Sequence, residues 1–198
     1  AQRSTERATF GAAGPDTVTA AAYVVMEEAT GSVLLERNAQ ERRSPASTTK
    51  IMTALLVLEH AGLDEVVTVP EAVETLRAST LMGVKPGERL TVRDLLLGLM
   101  LPSGNDAAIA LATHVAGDEA TFARRMNQRA HDLGLEDTQF TNSHGLDFRD
   151  WGSPYTSAYD LAVISRIAMA NPVFREIVAA RSYRAQGEQA AYGAPNGN

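Results

Sequence analysis

Residues 44–62 read SPASTTKIMTALLVLEHAG, and no other segment restricts the possible folds of this chain so strongly. From Ser47 to Ala61 the spacing predicts a helix. Ile51, Ala54, Leu55 and Leu58 form one face, Met52 and Leu56 widen it, and Gly62 stands where a helix stops. An apolar stripe this wide belongs to a helix packed on most of its sides. Such a helix must lie at the centre of a domain, with other elements wrapped around it. Yet Lys50, one of only two lysines in 198 residues, sits at its mouth behind a run of small hydroxyl residues.

The elements that could do the wrapping are mostly helical. AAAYVVMEEATGSVLLERNA predicts a β-hairpin, with strands at Tyr23–Met26 and Ser32–Leu35 and the turn at Ala29-Thr30-Gly31. EVVTVP is a short extended piece. Thr91-x-x-Asp94 is a capping-box start for a helix ending before Pro102, and a second helix runs from about Asp106 to Val115. DEATFARRMNQRAHDLG is an amphipathic helix stopping at Gly134. Ser157-x-x-Asp160 opens a helix to about Met169, and Pro172–Ala180 forms one more. Between them, QFTNSHGLDFRDWGSPY is a long irregular loop. A two-stranded hairpin is marginal by itself. Either the helices cover it, or further strands belong beside it.

Composition limits the function classes. The net charge of −6 and the lack of a basic stripe argue against nucleic acid and anionic membrane surfaces. No run approaches the roughly 18 apolar residues of a spanning helix. There is no cysteine, which excludes disulfide and thiol chemistry. The four histidines, His60, His114, His131 and His144, are scattered without a metal-binding pair, so no metal site and no cofactor is expected. Residues 1–17 read as a polar leader, left after signal-peptide removal or at an arbitrary boundary.

Ser47 and Lys50 are three residues apart, which places them on one helical face with Cβ atoms roughly 5–6 Å apart. A serine at a helix N-terminus feels the positive end of the dipole. A lysine held in an apolar helix loses hydration, and its pKa falls. A neutral lysine can take the serine proton, making a nucleophile without a histidine. The alternative is that Ser47 or a neighbour caps the helix while Lys50 reaches out to solvent. Further on, Ser103-Gly104-Asn105 lies at a tight turn between two helices, Gly104 being the residue that lets the backbone turn. Its hydroxyl can relay a proton, and its carboxamide can both donate to and accept from a peptide. The alternative there is an ordinary turn with Asn105 or Asp106 as N-cap.

Together, and in this order, Ser47-x-x-Lys50 and Ser103-x-Asn105 resemble the penicillin-binding protein and serine β-lactamase superfamily. SPASTTKIMTALLVLE, LMGVKPGERLTVRDLLLGLMLPSGNDAAIALA and FTNSHGLD with YTSAYDLAVISR narrow the resemblance to low-molecular-weight, serine-type D-alanyl-D-alanine carboxypeptidases of the peptidase S11 kind. It runs from about residue 18 to the end. The resemblance implies an α+β, β-lactamase/transpeptidase-like fold, an antiparallel sheet packed against a helical cluster, with the site between them. It implies catalytic roles for Ser47 as acylated nucleophile, Lys50 as base and Ser103 as proton-transfer aid, and substrate binding by Asn105. The Ser47 N–H would form half of an oxyanion hole. The substrate would be a peptidoglycan stem peptide ending in D-Ala-D-Ala, and β-lactams would be covalent inhibitors. The location would be extracytoplasmic, in the bacterial cell envelope, and any membrane anchor would lie outside this chain.

The family's third motif, Lys-Thr/Ser-Gly on a strand lining the site, does not occur in these residues. The only other lysine, Lys85, sits in the turn Lys85-Pro86-Gly87 before Ser103. The expectation is therefore a catalytic domain over 18–198 that stops short of this strand and of the last strands of its sheet. Two other functions stand beside the carboxypeptidase. One is a non-catalytic or impaired fragment that binds penicillin or peptidoglycan. The other is a serine β-lactamase, disfavoured because FTNSHGLDFRDWGSPY lacks a deacylating Glu-x-x-Leu-Asn segment. Trp151 and Tyr155 could offer a ligand platform or simply anchor their loop, and His144 could help to shape the site.

Overall fold

A computed structural model describes residues 18–76, 80–147 and 153–185. The leader at 1–17 and Trp151 lie outside the described residues. The architecture is α+β, as expected. Strands β1 (Tyr23–Met26) and β2 (Val33–Arg37) form the hairpin, with Tyr23 opposite Arg37 and Val25 opposite Leu35. Its turn is closed by Glu27 N–H to Ser32 O at 2.9 Å and Gly31 N–H to Glu27 O at 2.8 Å, with Gly31 at φ +76°. The expected second strand, Ser32–Leu35, starts one residue later and extends to Arg37.

Helix α1 (Thr49–His60) is preceded by one 3-10 turn at Ala46–Thr48. Its apolar residues Met52, Ala54, Leu55, Leu56 and Val57 are all buried. Each large one contributes roughly 1.5–3 kcal/mol by leaving water. Helix α2 (Val92–Met100) opens with the expected capping box: Thr91 Oγ1 accepts from Asp94 N–H, and the Asp94 carboxylate accepts from Thr91 N–H. Helix α3 (Asn105–Ala116) turns back beside it, and its small residues Ala107, Ala108, Ala110 and Ala112 are all buried. Small side chains there let α1, α2 and α3 approach closely. Helices α4 (Glu119–Asp132), α5 (Ala158–Ala170) and α6 (Pro172–Ala179) complete the cluster, α5 capped by Ser157 accepting from Asp160 N–H at 3.0 Å. Helix α1 packs against α2, α3, α4 and α5, so the widest apolar stripe does become the central helix.

The sheet differs from the expectation. Instead of one sheet, the described residues form two separate antiparallel pairs, β1–β2 and β3–β4. Strand β3 (Val66–Thr68) is the extended piece, but its partner β4 (Arg89–Thr91) was not anticipated. Three residues running directly into α2 leave no room for an alternating pattern; the pairing follows from the Pro86-Gly87 turn, where Gly87 N–H meets Val69 O at 2.9 Å. The hairpin is covered on one side by α5, and Arg166 of α5 donates to Glu28 O at 2.7 Å and Ala29 O at 3.1 Å.

Candidate active site

Ser47 lies on the 3-10 turn, exposed, while Lys50 is only 2% exposed. The expectation had Ser47 on the helix proper. Lys50 Nζ stands 3.2 Å from Ser47 Oγ and donates to His144 O at 2.9 Å. Burial lowers the Lys50 pKa to about 8, against an opposing pull from the Asp106 charge. Lys50 therefore does not snorkel. No side-chain cap forms at the start of α1.

The turn holding Ser47 is forced into shape by its surroundings. Ala46, the first residue of that turn, has φ +46°, a left-handed conformation that costs a residue with a Cβ roughly 1–2 kcal/mol. Gly145 lies against it: a Cβ there would sit 1.8 Å from Ala46 O and 2.8 Å from Thr49 Oγ1. Gly145 also has φ +85°, so only glycine fits both demands. The loop carrying Gly145 is wound around Asn142, whose Oδ1 accepts from His144 N–H (3.2 Å) and Gly145 N–H (2.6 Å), while Nδ2 donates to Leu146 O (2.7 Å). Its carbonyls face α1: Ser143 O accepts from Thr53 Oγ1 at 2.6 Å, one turn beyond the Lys50 contact with His144 O.

Ser103 and Asn105 sit on the α2–α3 turn, and the conformation there corrects the expectation about Gly104. The left-handed residue is Ser103, at φ +60°, whereas Gly104 has φ −63°. Gly104 is required by space: a Cβ would lie 2.7 Å from Gly98 O and 2.9 Å from Met82 N. Gly104 itself is the N-cap of α3, with no side-chain cap, so neither Asn105 nor Asp106 caps the helix. The Asp106 carboxylate accepts from Ala107 N–H (2.9 Å) and from three successive backbone N–H groups, Met82 (2.8 Å), Gly83 (2.7 Å) and Val84 (3.1 Å). This ties the 82–84 segment to the turn, and Asn105 N–H adds a bond to Thr80 O at 2.9 Å. Asn105 is 3% exposed, and its Oδ1 has no hydrogen-bond partner among the described residues. Leaving such an acceptor unmet costs roughly 1–3 kcal/mol. The Ser103 side chain makes no hydrogen bond among the described residues; it is half-buried beside Asn105.

His144 lies in the site, but its ring is 1% exposed and its contribution comes through its carbonyl. Nδ1 accepts from Leu146 N–H at 3.1 Å, so the ring hydrogen is on Nε2. Desolvation, followed by the Lys50 charge, lowers its pKa to about 4, which keeps it neutral. The other histidines are elsewhere. His60 pairs with Leu56 O, His114 with Glu65 at 2.8 Å, and the His131 side chain is 85% exposed. Tyr155 anchors its loop: it exchanges backbone hydrogen bonds with Gln139, and the Arg42 guanidinium lies 4.5 Å from its ring centre.

Thr53, Asn142, Ser143 and Asp106 were not picked out from sequence as parts of this site. Thr53 carried a usable signal, one residue three beyond Lys50 on the same helix. The loop residues carried none, because the loop's carbonyls meet Thr53 and Lys50 across 90 and 94 residues of chain.

The chain is similar in sequence and in fold to known proteins. The family model for D-alanyl-D-alanine carboxypeptidase (peptidase S11) matches residues 9–197. D-alanyl-D-alanine carboxypeptidase DacF of Bacillus subtilis is 40% identical over 149 residues, 72% of this chain and 37% of that protein. DacB2 of Mycobacterium tuberculosis is 43% identical over 157 residues, 79% of this chain and 53% of the relative. The crystal structure of a D-alanyl-D-alanine carboxypeptidase from Mycobacterium tuberculosis superposes with a TM-score of 0.84 at 38% identity, over 90% of this chain and 67% of that one. Penicillin binding protein 6B from Escherichia coli gives 0.80 at 37%, over 89% and 57%. The chain thus spans about half or less of the length of these curated relatives. On the family match and the shared fold, this chain belongs to the D-alanyl-D-alanine carboxypeptidase family, peptidase S11.

Proposed function

We propose that the protein carrying this chain is a serine acyl-enzyme hydrolase that removes the terminal D-Ala from peptidoglycan stem peptides in the extracytoplasmic cell envelope. Neutral Lys50 takes the Ser47 hydroxyl proton as Oγ attacks the penultimate D-Ala carbonyl. The Ser47 N–H donates to the developing oxyanion. The proton passes, with Ser103 assisting, to the leaving nitrogen. The C–N bond breaks, D-Ala departs and an ester to Ser47 remains. Water then adds to the ester carbonyl, the bond from that carbon to Ser47 Oγ breaks, and the shortened peptide leaves with a carboxyl end as the hydroxyl is restored. Asn105 accepts from the substrate backbone through its unpaired Oδ1. Penicillins acylate the same hydroxyl by opening their lactam ring.

The observation that carries this reading is an exposed serine hydroxyl 3.2 Å from a buried lysine amine whose pKa is lowered to about 8. Residues 1–198 contain no Lys-Thr/Ser-Gly, so only the Ser-x-x-Lys and Ser-x-Asn parts of the site are assigned to this chain. The test is intact-protein mass before and after incubation with a penicillin, in wild type and Ser47→Ala. One adduct in wild type and none in Ser47→Ala is the expected result. An adduct that persists in Ser47→Ala would refute Ser47 as the nucleophile. A permanent adduct without D-Ala release from a D-Ala-D-Ala peptide would favour a binding function over turnover.

A further inference from the structure

Glu119 is the first residue of α4, yet it does no capping there. Asp118 is the N-cap and accepts from Thr121 N–H at 2.7 Å. The Glu119 side chain turns inward and is 16% exposed. Its carboxylate accepts from Ser143 N–H at 2.8 Å and from the Ser143 hydroxyl, and His144 Nε2 lies 3.8 Å away. Desolvation raises its pKa, and the two Ser143 bonds oppose that rise. His144 is neutral, so the 3.8 Å contact is no ion pair. A carboxyl group buried this way, without a cationic partner, is expensive. What it grips is the residue preceding the carbonyl that holds Lys50.

A neutral lysine amine has two N–H donors and one lone pair, and rotation about its last carbon bond sweeps all three around. As a base toward Ser47 it must keep the lone pair on Oγ, which requires an N–H anchored elsewhere. The His144 carbonyl is that anchor. We propose that Glu119 is a positioning residue for Lys50: by clamping both hydrogen-bond donors of Ser143 it fixes the His144 carbonyl, which orients the amine toward Ser47. The proposal rests on the reading of Lys50 as the base. Glu119 acts from the end of a helix that touches neither Ser47 nor Lys50 by any hydrogen bond in the described structure.

The test follows Ser47 acylation by a penicillin in the intact protein, by mass against time, for wild type, Glu119→Ala, Glu119→Gln and Lys50→Ala across neutral and alkaline pH. Glu119→Gln removes the charge but keeps an oxygen for the Ser143 N–H. In Glu119→Ala the adduct should reach full stoichiometry about tenfold or more slowly, since a displaced catalytic group is costly even at a distance. Its acid limb should move to lower pH, because the ammonium loses its carbonyl acceptor while Asp106 and the neutral His144 ring still face it. Glu119→Gln should stay within about threefold of wild type. A direct nitrogen NMR titration of Lys50 reads the same displacement without any turnover. The proposal is overturned if Glu119→Ala reacts at the wild-type rate with an unmoved profile, or if only its labelled fraction falls while the remainder reacts normally. If Lys50→Ala is inert in either of those cases, only the positioning role fails. If Lys50→Ala acylates as fast as wild type, the base reading fails and takes this proposal with it.

Discussion

Lys50→Met tests the central electrostatic claim independently of any activity. Methionine fills a similar volume with no charge. In the folded protein the Lys50 pKa is lowered from 10.5 to about 8, first by burial, with Asp106 pulling the other way. The folded value lies below the unfolded one, so between the two the unfolded chain binds more protons. Stability contributed by this site is therefore absent below pH 8 and grows as pH rises toward 10.5. The full swing corresponds to roughly 3 kcal/mol, at about 1.4 kcal/mol for each tenfold change. Between about pH 7 and about pH 9.5 it amounts to about 2 kcal/mol. Urea unfolding of wild type and variant at those two pH values gives the measurement, because every other titrating group is common to both proteins and cancels. The wild-type minus variant stability should shift in favour of wild type by about 2 kcal/mol on going to the higher pH. A difference that stays flat would mean that Lys50 titrates like a solvated lysine, and the case for a neutral base near neutral pH would collapse.

Two further substitutions probe the frame around the site. Gly145→Ala should cost about 2–4 kcal/mol in urea unfolding and slow acylation, since both φ +85° and the 1.8 Å approach to Ala46 O oppose a Cβ. Gly117→Ala is its control: the same φ with nothing within 4 Å should cost only about 1–2 kcal/mol, and equal losses at the two sites would refute the steric argument. Asp106→Asn should destabilise by about 2–4 kcal/mol, because an amide cannot serve three N–H donors as a carboxylate does. It should also move the acid limb of acylation to lower pH, as the charge that raises the Lys50 pKa is gone; an unmoved limb would show that Asp106 does not reach the amine.

Features set by neighbours three or four residues away were legible in the sequence. The stripe of α1, the Thr91–Asp94 capping box, the Ser157 cap of α5 and the Pro172 start of α6 each depend on local hydrogen bonds and a 3.6-residue period. The Ser47–Lys50 contact belongs with them, since an offset of three residues suffices to bring the two side chains together. Tertiary structure alone decided the rest. A three-residue strand such as β4 has too short a pattern to announce itself, and exists because β3 is there to pair with it. The left-handed backbone falls on Ser103, and glycine stands at 104 because Gly98 O and Met82 N leave no space there for a Cβ. The depressed pKa of Lys50 needs the surrounding helices to exclude water, and its carbonyl anchor arrives from a loop 94 residues further along the chain. Spacing within one helix is written in the sequence directly; dielectric environment and long-range hydrogen bonds come into being only when distant segments meet.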